Sequence, residues 1–156
     1  MIISVEKAKS LISFPNWTDE KIEMKLKAVE QTIRAYTNNN FQDRGRRRTA
    51  DIINGVFLVD ALCPFHVGDT VMISETALKK GLFTVVSADD STFTVAEPTE
   101  DETDVLVTKV YYPPDVVACA VNLMEWEVNN REKVGIKSET LSRHSVTYED
   151  SASMFM

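Results

Sequence analysis

Reactive chemistry has little raw material in this chain, which holds two cysteines, two histidines and five glycines in 156 residues. Cys63 and Cys119 form no CxxC or zinc-type spacing. That excludes a local redox couple or zinc knuckle, and reduced thiols in a cytoplasmic protein are the expected state. His66 and His144 lie in different regions and neither belongs to an HExxH-type pattern. His66 precedes Val67-Gly68-Asp69 and reads as a turn residue. The few glycines supply neither GxxxxGK[ST] nor GxGxxG, so a phosphate cradle is not expected. No run of about 18 apolar residues is present to span a bilayer, and the first residues lack the pattern of a secretory signal. Positive charge is also short, with 17 Lys and Arg against 24 Asp and Glu, a net charge of −7. That balance argues against a general nucleic-acid coat. No catalytic, metal or cofactor constellation stands out, and none is expected.

A hydrophobic content of 44% is enough for a core, and the length suits one domain with a lobe inserted into it. Ser4–Ile12 reads as a short leading helix capped by Ser4, with Val5, Ala8, Leu11 and Ile12 on one side. Trp17–Asn39 is the clearest helix. Thr18 caps it, Asp19 and Glu20 suit the positive end of its dipole, and Trp17 is placed to staple onto Ile22. Ile22, Leu26, Val29, Ile33 and Tyr36 form its apolar stripe, and Asn38-Asn39-Asn40 closes it.

Phe41–Thr49 is polar and reads as a loop or hairpin arm. It carries Arg44, Arg46, Arg47 and Arg48 around Gly45, four guanidinium groups able to meet DNA phosphates or an acidic protein surface. From Ala50 the apolar period becomes two, and five short strands are expected as a small barrel or sandwich. Asp89-Asp90-Ser91 marks a tight turn between Leu82–Ser87 and Thr92–Ala96. Thr99–Asp104 reads as a solvated acidic loop before a final strand, Val105–Tyr112.

Pro114–Glu132 returns to helix with a wide apolar arc. Val117, Val121, Met124 and Val128 make one stripe, Val116, Ala120 and Leu123 an adjacent one, and Trp126 falls outside both. Such an arc suits either a central helix or one that meets another subunit. Cys119 on it reads as core, and Val146 and Tyr148 suggest a short terminal strand. The expected fold class is therefore α+β, an antiparallel helical bundle with an inserted small antiparallel β-sheet or barrel. Residues 1–49 and 113–149 would form the helical body, 50–112 the inserted lobe and 150–156 a flexible tail.

Three stretches in order carry a resemblance. They are Trp17–Ile22 running through Ala28, Ile33 and Tyr36 to Phe41; Phe65–Ser74 with Gly81–Val85 and Val110–Asp115; and Val134–Glu139 running to Ser145–Glu149. Together they resemble the head–tail connector (adaptor) proteins of long-tailed bacteriophages and related prophages. The resemblance implies a structural virion protein without turnover, made in the host cytoplasm and carried in the neck. It implies a homo-oligomeric ring of about twelve copies beneath the portal protein. That ring extends the DNA channel without reading sequence, and offers a platform to a stopper or tail-completion protein. Lys137–Glu149 would reach onto the portal or a neighbouring subunit, making Ile136, Lys137, Val146 and Tyr148 interface candidates beside Val117, Val121, Met124 and Trp126. The other reading of the residues is a non-viral module whose β-lobe recruits a peptide or nucleic acid.

Overall fold

The computed structural model describes residues 1–77 and 80–130, and the backbone of two further strands at 138–141 and 144–147. The chain divides into two compact units. One contains Met1 and Asn38–Tyr112, and the other contains Ile2–Thr37 and the chain from Pro113 onward.

The first unit is a closed, wholly antiparallel barrel of six strands. These are β1 (Gln42–Ile53), β2 (Val56–Val59), β3 (Thr70–Ser74), β4 (Gly81–Ala88), β5 (Thr92–Val95) and β6 (Glu102–Val110), in the order β1-β2-β5-β4-β3-β6 with β6 closing on β1. Period-two alternation turns Ile52, Phe57, Val71, Ile73, Phe83, Val85, Val105 and Val107 inward to one core. Phe93 fills its centre, stacked on Phe57 at 4.5 Å between ring centroids and edge-on to Phe65 at 5.1 Å. The interior is thus packed with side chains.

Turn chemistry sets the hairpins. Asn54 and Gly55 both have positive φ, 51° and 78°, the geometry of the two-residue turn that matches strand twist. Their dipeptide is a direct hairpin signal, and it brings Ile53 opposite Val56. At the β4–β5 turn, Asp89 N–H donates to the Thr92 carbonyl at 2.8 Å. Register shifts interrupt β1 between Asp43 and Arg47 and again between Ala50 and Ile52, with another in β4 between Val85 and Ser87. Such bulges bend strands and raise their twist, which lets so few strands close.

In the second unit, α1 (Val5–Leu11) is capped by Ser4, whose Oγ accepts from Lys7 N at 3.2 Å. Ala8 and Ile12 are buried, whereas Leu11 is exposed. Thr18 caps α2 (Asp19–Thr37) through the Lys21 N–H, and Asn38 closes it with φ of 48°. The Trp17 ring lies 5.7 Å from that of Phe14, with the Lys21 ammonium 4.3 Å from its centroid. The stripe buries Ile22, Leu26, Val29 and Ile33, but Tyr36 is exposed and Glu30 is buried in its stead. α3 (Pro114–Asn130) packs on α2, buries Ala120, Leu123 and Met124, and is tied to it by Lys25–Glu127 at 3.0 Å. A two-stranded antiparallel hairpin, β7 (Ser138–Leu141) and β8 (His144–Thr147), completes the described elements.

The expected fold class is corrected accordingly. The described residues form three helices and a closed six-stranded barrel, and not a helical bundle bearing a small inserted sheet. The expectation failed at β1. Its polar start pairs from Gln42↔Val110 onward, so the barrel unit opens at Asn38 and the arginine segment is a strand and not a loop. An outward-facing strand wall needs no apolar residues, and the chain there carried no alternation to betray it.

Candidate functional site

The arginines lie where β1 meets β6. Arg44, Gly45 and Arg46 are the residues of the bulge between the pairs Asp43↔Lys109 and Arg47↔Thr108, and all three are exposed. Asp43 organises the bulge, accepting from Gly45 N at 3.1 Å and lying 3.7 Å from Arg46 Nε. The other two arginines are committed inside the protein. Arg47 Nε donates to Thr108 Oγ1 at 2.9 Å, and Thr108 is fully buried. Arg48 Nε donates to the Leu62 carbonyl at 3.1 Å and its Nη1 to the Arg47 carbonyl at 2.7 Å. Of the four candidate contact residues, Arg44 and Arg46 therefore present their charge to solvent, while Arg47 and Arg48 brace the barrel. Lys109 is likewise engaged, with Asp69 at 2.7 Å.

At the opposite end of the barrel the acidic segment is no free loop. Glu102 and Asp104 belong to β6, and the carboxylates here accept from backbone N–H groups of strands and connections. Asp101 accepts from Asn54 N at 2.7 Å, Asp51 from Asp104 N at 2.9 Å, and Glu97 from Thr84 N at 2.8 Å. Glu102 accepts from Ala77 N at 2.6 Å and from the Thr76 hydroxyl. A charged acceptor on an amide is a comparatively strong hydrogen bond, so these acids do structural work as well as keeping the end soluble. No set of three His, Cys, Asp or Glu residues able to hold a metal occurs among the described residues.

Sequence reasoning missed a groove of about 670 Å³ at the barrel end that also carries the arginine segment, between the β2–β3 connection and the β4–β5 turn. Leu62, Phe65, Val67 and Ala88 supply its apolar floor, with Asp89 and Asp90 on the β4–β5 turn at its rim. Leu62 and Val67 are 69% and 67% exposed, against a fully packed interior beneath them. Backbone bonds hold the walls, with Cys63 N donating to the Asp90 carbonyl at 2.7 Å and Gly68 N to the Val85 carbonyl at 2.8 Å. His66 is on this surface as the expected turn residue, its N–H bound to Asp69 Oδ2 at 2.9 Å. The available signal was Leu62 and Val67 themselves, apolar residues in a connection with no strand to bury them.

Of the α3 candidates, Met124 is fully buried, and Val117, Val121 and Trp126 are half-buried. Met124 is thus a core residue of the helical unit, and its three neighbours retain an accessible edge. Cys119 is half-buried, and burial pushes its thiol above the ordinary value, which keeps it a weak nucleophile. Val146 falls in β8 opposite Glu139. Ile136, Lys137 and Tyr148, and the tail from residue 150, lie outside the described residues. No described helix is long and apolar enough to cross a membrane.

No family model, no curated protein and no solved structure matches this chain.

Proposed function

We propose that this protein is a structural subunit of a bacteriophage head–tail connector, a neck component that docks on the portal as a ring and extends the DNA channel. One observation carries the reading. The barrel spends its interior on packing and puts its distinctive chemistry on the outside, as an exposed arginine bulge, a hydrogen-bonded acidic end and a groove where Leu62 and Val67 meet Asp89 and Asp90. A body so built acts through contacts with other macromolecules. The three ordered stretches that resemble phage adaptors give those macromolecules an identity: copies of the chain, the portal protein, and a stopper or tail-completion protein. A net charge of −7 suits a conduit, since a strongly basic lining would hold passing DNA through its phosphates. The protein on this reading has no turnover, is assembled in the host cytoplasm and resides in the virion neck.

The test is to mix the purified chain with the portal protein encoded beside it and examine the product by electron microscopy. A ring of about twelve subunits seated on the portal is the expected result. A chain that leaves the portal bare at every concentration, in a genome context without capsid and tail genes, overturns the reading. The exposed pair Arg44 and Arg46 favours one second reading, a β-barrel module that holds nucleic acid. Salt-sensitive binding of short DNA duplexes by a chain that does not recognise portal would select it.

A further inference from the structure

Strand β4 outruns its neighbour at the barrel end that holds the groove. β3 begins at Thr70, opposite Thr84, and the connection before it adds one more step. There Val85 N donates to the Asp69 carbonyl at 2.9 Å and Gly68 N to the Val85 carbonyl at 2.8 Å. β4 runs on to Ala88, held on its other side by β5 through Ser87↔Thr94 and Ala88↔Phe93. Past Val85, no strand among the described residues pairs with β4 on the β3 side. An edge without a partner strand offers its N–H and C=O groups to an added one. The groove opens at the end of this stretch, between residues 88–91 and the β2–β3 connection.

The chemistry around that edge defines what fits it. Leu62 and Val67 offer apolar surface, and Val86 on the bare stretch is 48% exposed. Asp89 and Asp90 stand exposed at the rim, and no lysine or arginine is among the described residues that line the groove. The arginines of the same barrel end are engaged elsewhere, Arg48 with the Leu62 carbonyl and Arg46 beside Asp43. The volume of about 670 Å³ falls within the range of roughly 300–1,000 Å³ in which proteins hold ligands.

We infer that this groove binds an extended segment of a partner protein in which apolar side chains alternate with lysine or arginine. The segment adds along residues 86–88 as a strand. Alternate side chains of a strand point to opposite faces, so one set rests on Leu62 and Val67 while the other carries its cations to Asp89 and Asp90. Main-chain pairing supplies affinity, and the apolar floor and acidic rim supply selectivity. The inference goes beyond the connector reading and does not rest on it.

Peptide binding tests it. The probes are short, capped, fluorescent peptides. One alternates valine with lysine, one alternates valine with glutamate, and one keeps the lysine sequence but carries N-methyl groups along its backbone. The full chain should bind the first, less tightly as salt screens the charges, with amide resonance shifts confined to residues 62–67 and 86–91. The glutamate peptide should bind at least about tenfold more weakly for want of a cation. The N-methylated peptide should lose as much, because it keeps the charge but cannot donate to the edge. Two variants, D89N/D90N and L62S/V67S, change exposed positions, and their folding is checked by circular dichroism and thermal melting. Each should bind the lysine peptide at least about tenfold more weakly. No binding at about 1 mM peptide, the weak end of specific affinity, overturns the inference. Equal binding of the three peptides overturns it, as does binding that both variants retain. A groove that takes short DNA duplexes and refuses the peptides overturns it too. The connector reading is scored separately. Rings on the portal from a chain that binds none of the peptides defeat the groove and leave the role standing. Peptide binding by a chain that leaves the portal bare upholds the groove and defeats the role.

Discussion

Arg47 Nε donates to Thr108 Oγ1 at 2.9 Å across the β1–β6 seam, joining a half-exposed cation to a fully buried hydroxyl just beyond the arginine bulge. The bond lies where β1 resumes pairing after its irregularity, so it holds the strand in register at the place where register is least secure.

Arg47→Ala should therefore destabilise the protein by about 1–3 kcal/mol, the cost of removing one partner and leaving a buried polar group unpaired. Arg44→Ala, at an exposed bulge position, should stay within about 0.5 kcal/mol. Urea denaturation of the two variants checks the contrast. It also separates an arginine that braces the barrel from one that is free for a partner, which a uniform replacement of the cluster would confuse.

Glu102 closes the acidic end by accepting from both Thr76 and Ala77. Glu102→Ala should cost about 1–3 kcal/mol, whereas Glu100→Ala, at an exposed position, should cost almost nothing. Amide hydrogen exchange would show faster exchange at Ala77 in the first variant only.

Gly55 has φ of 78° in the β1–β2 turn, with no atom closer than 4.0 Å to where a side chain would begin. The obstacle to substitution is thus backbone conformation and not space. Gly55→Val should lose about 1–2 kcal/mol or more in thermal or chemical denaturation, since a β-branched residue tolerates the left-handed region poorly.

Met124 is fully buried in the helical unit. Met124→Asp should destabilise it by about 3–5 kcal/mol, because a carboxylate placed there has no partner. Far-UV circular dichroism should show lost helix. Val121→Asp, at a half-buried position, should be milder, and the difference measures how much of the α3 arc is internal.

Burial raises the Cys119 thiol above its ordinary value of 9.0. The folded state then holds its proton more tightly than the unfolded state. The contribution to stability is complete below the unfolded value and is lost as pH rises through it toward the folded one. Alkylation of native protein should accordingly reach half-maximal rate at a higher pH for Cys119 than for a free thiol, and Cys119→Ser should flatten the alkaline arm of the stability profile.

Much of the local structure was legible. Ser4 and Thr18 announced helix starts, Asn38 a helix stop, and Asp89-Asp90-Ser91 a hairpin, because caps and turns depend on residues a few positions apart. Asn54-Gly55 is a local signal of the same kind that the five-strand reading passes over, and it divides that reading's first strand into β1 and β2. The groove at Leu62 and Val67 left only a faint trace, since an exposed apolar residue in a connection has no periodicity to mark it.

What the chain by itself determined is where helices begin and end and which strand positions face a core, all of it set by local propensity and by periods of 3.6 and 2. Tertiary structure alone decided that the strands close into a barrel, that Arg47 and Arg48 face protein while Arg44 and Arg46 face solvent, and that the acids of one end serve as backbone acceptors. The reason is physical. Closure and partner choice depend on the order and register of strands far apart in sequence, and a charged residue carries no local mark of whether water or a distant donor will meet it.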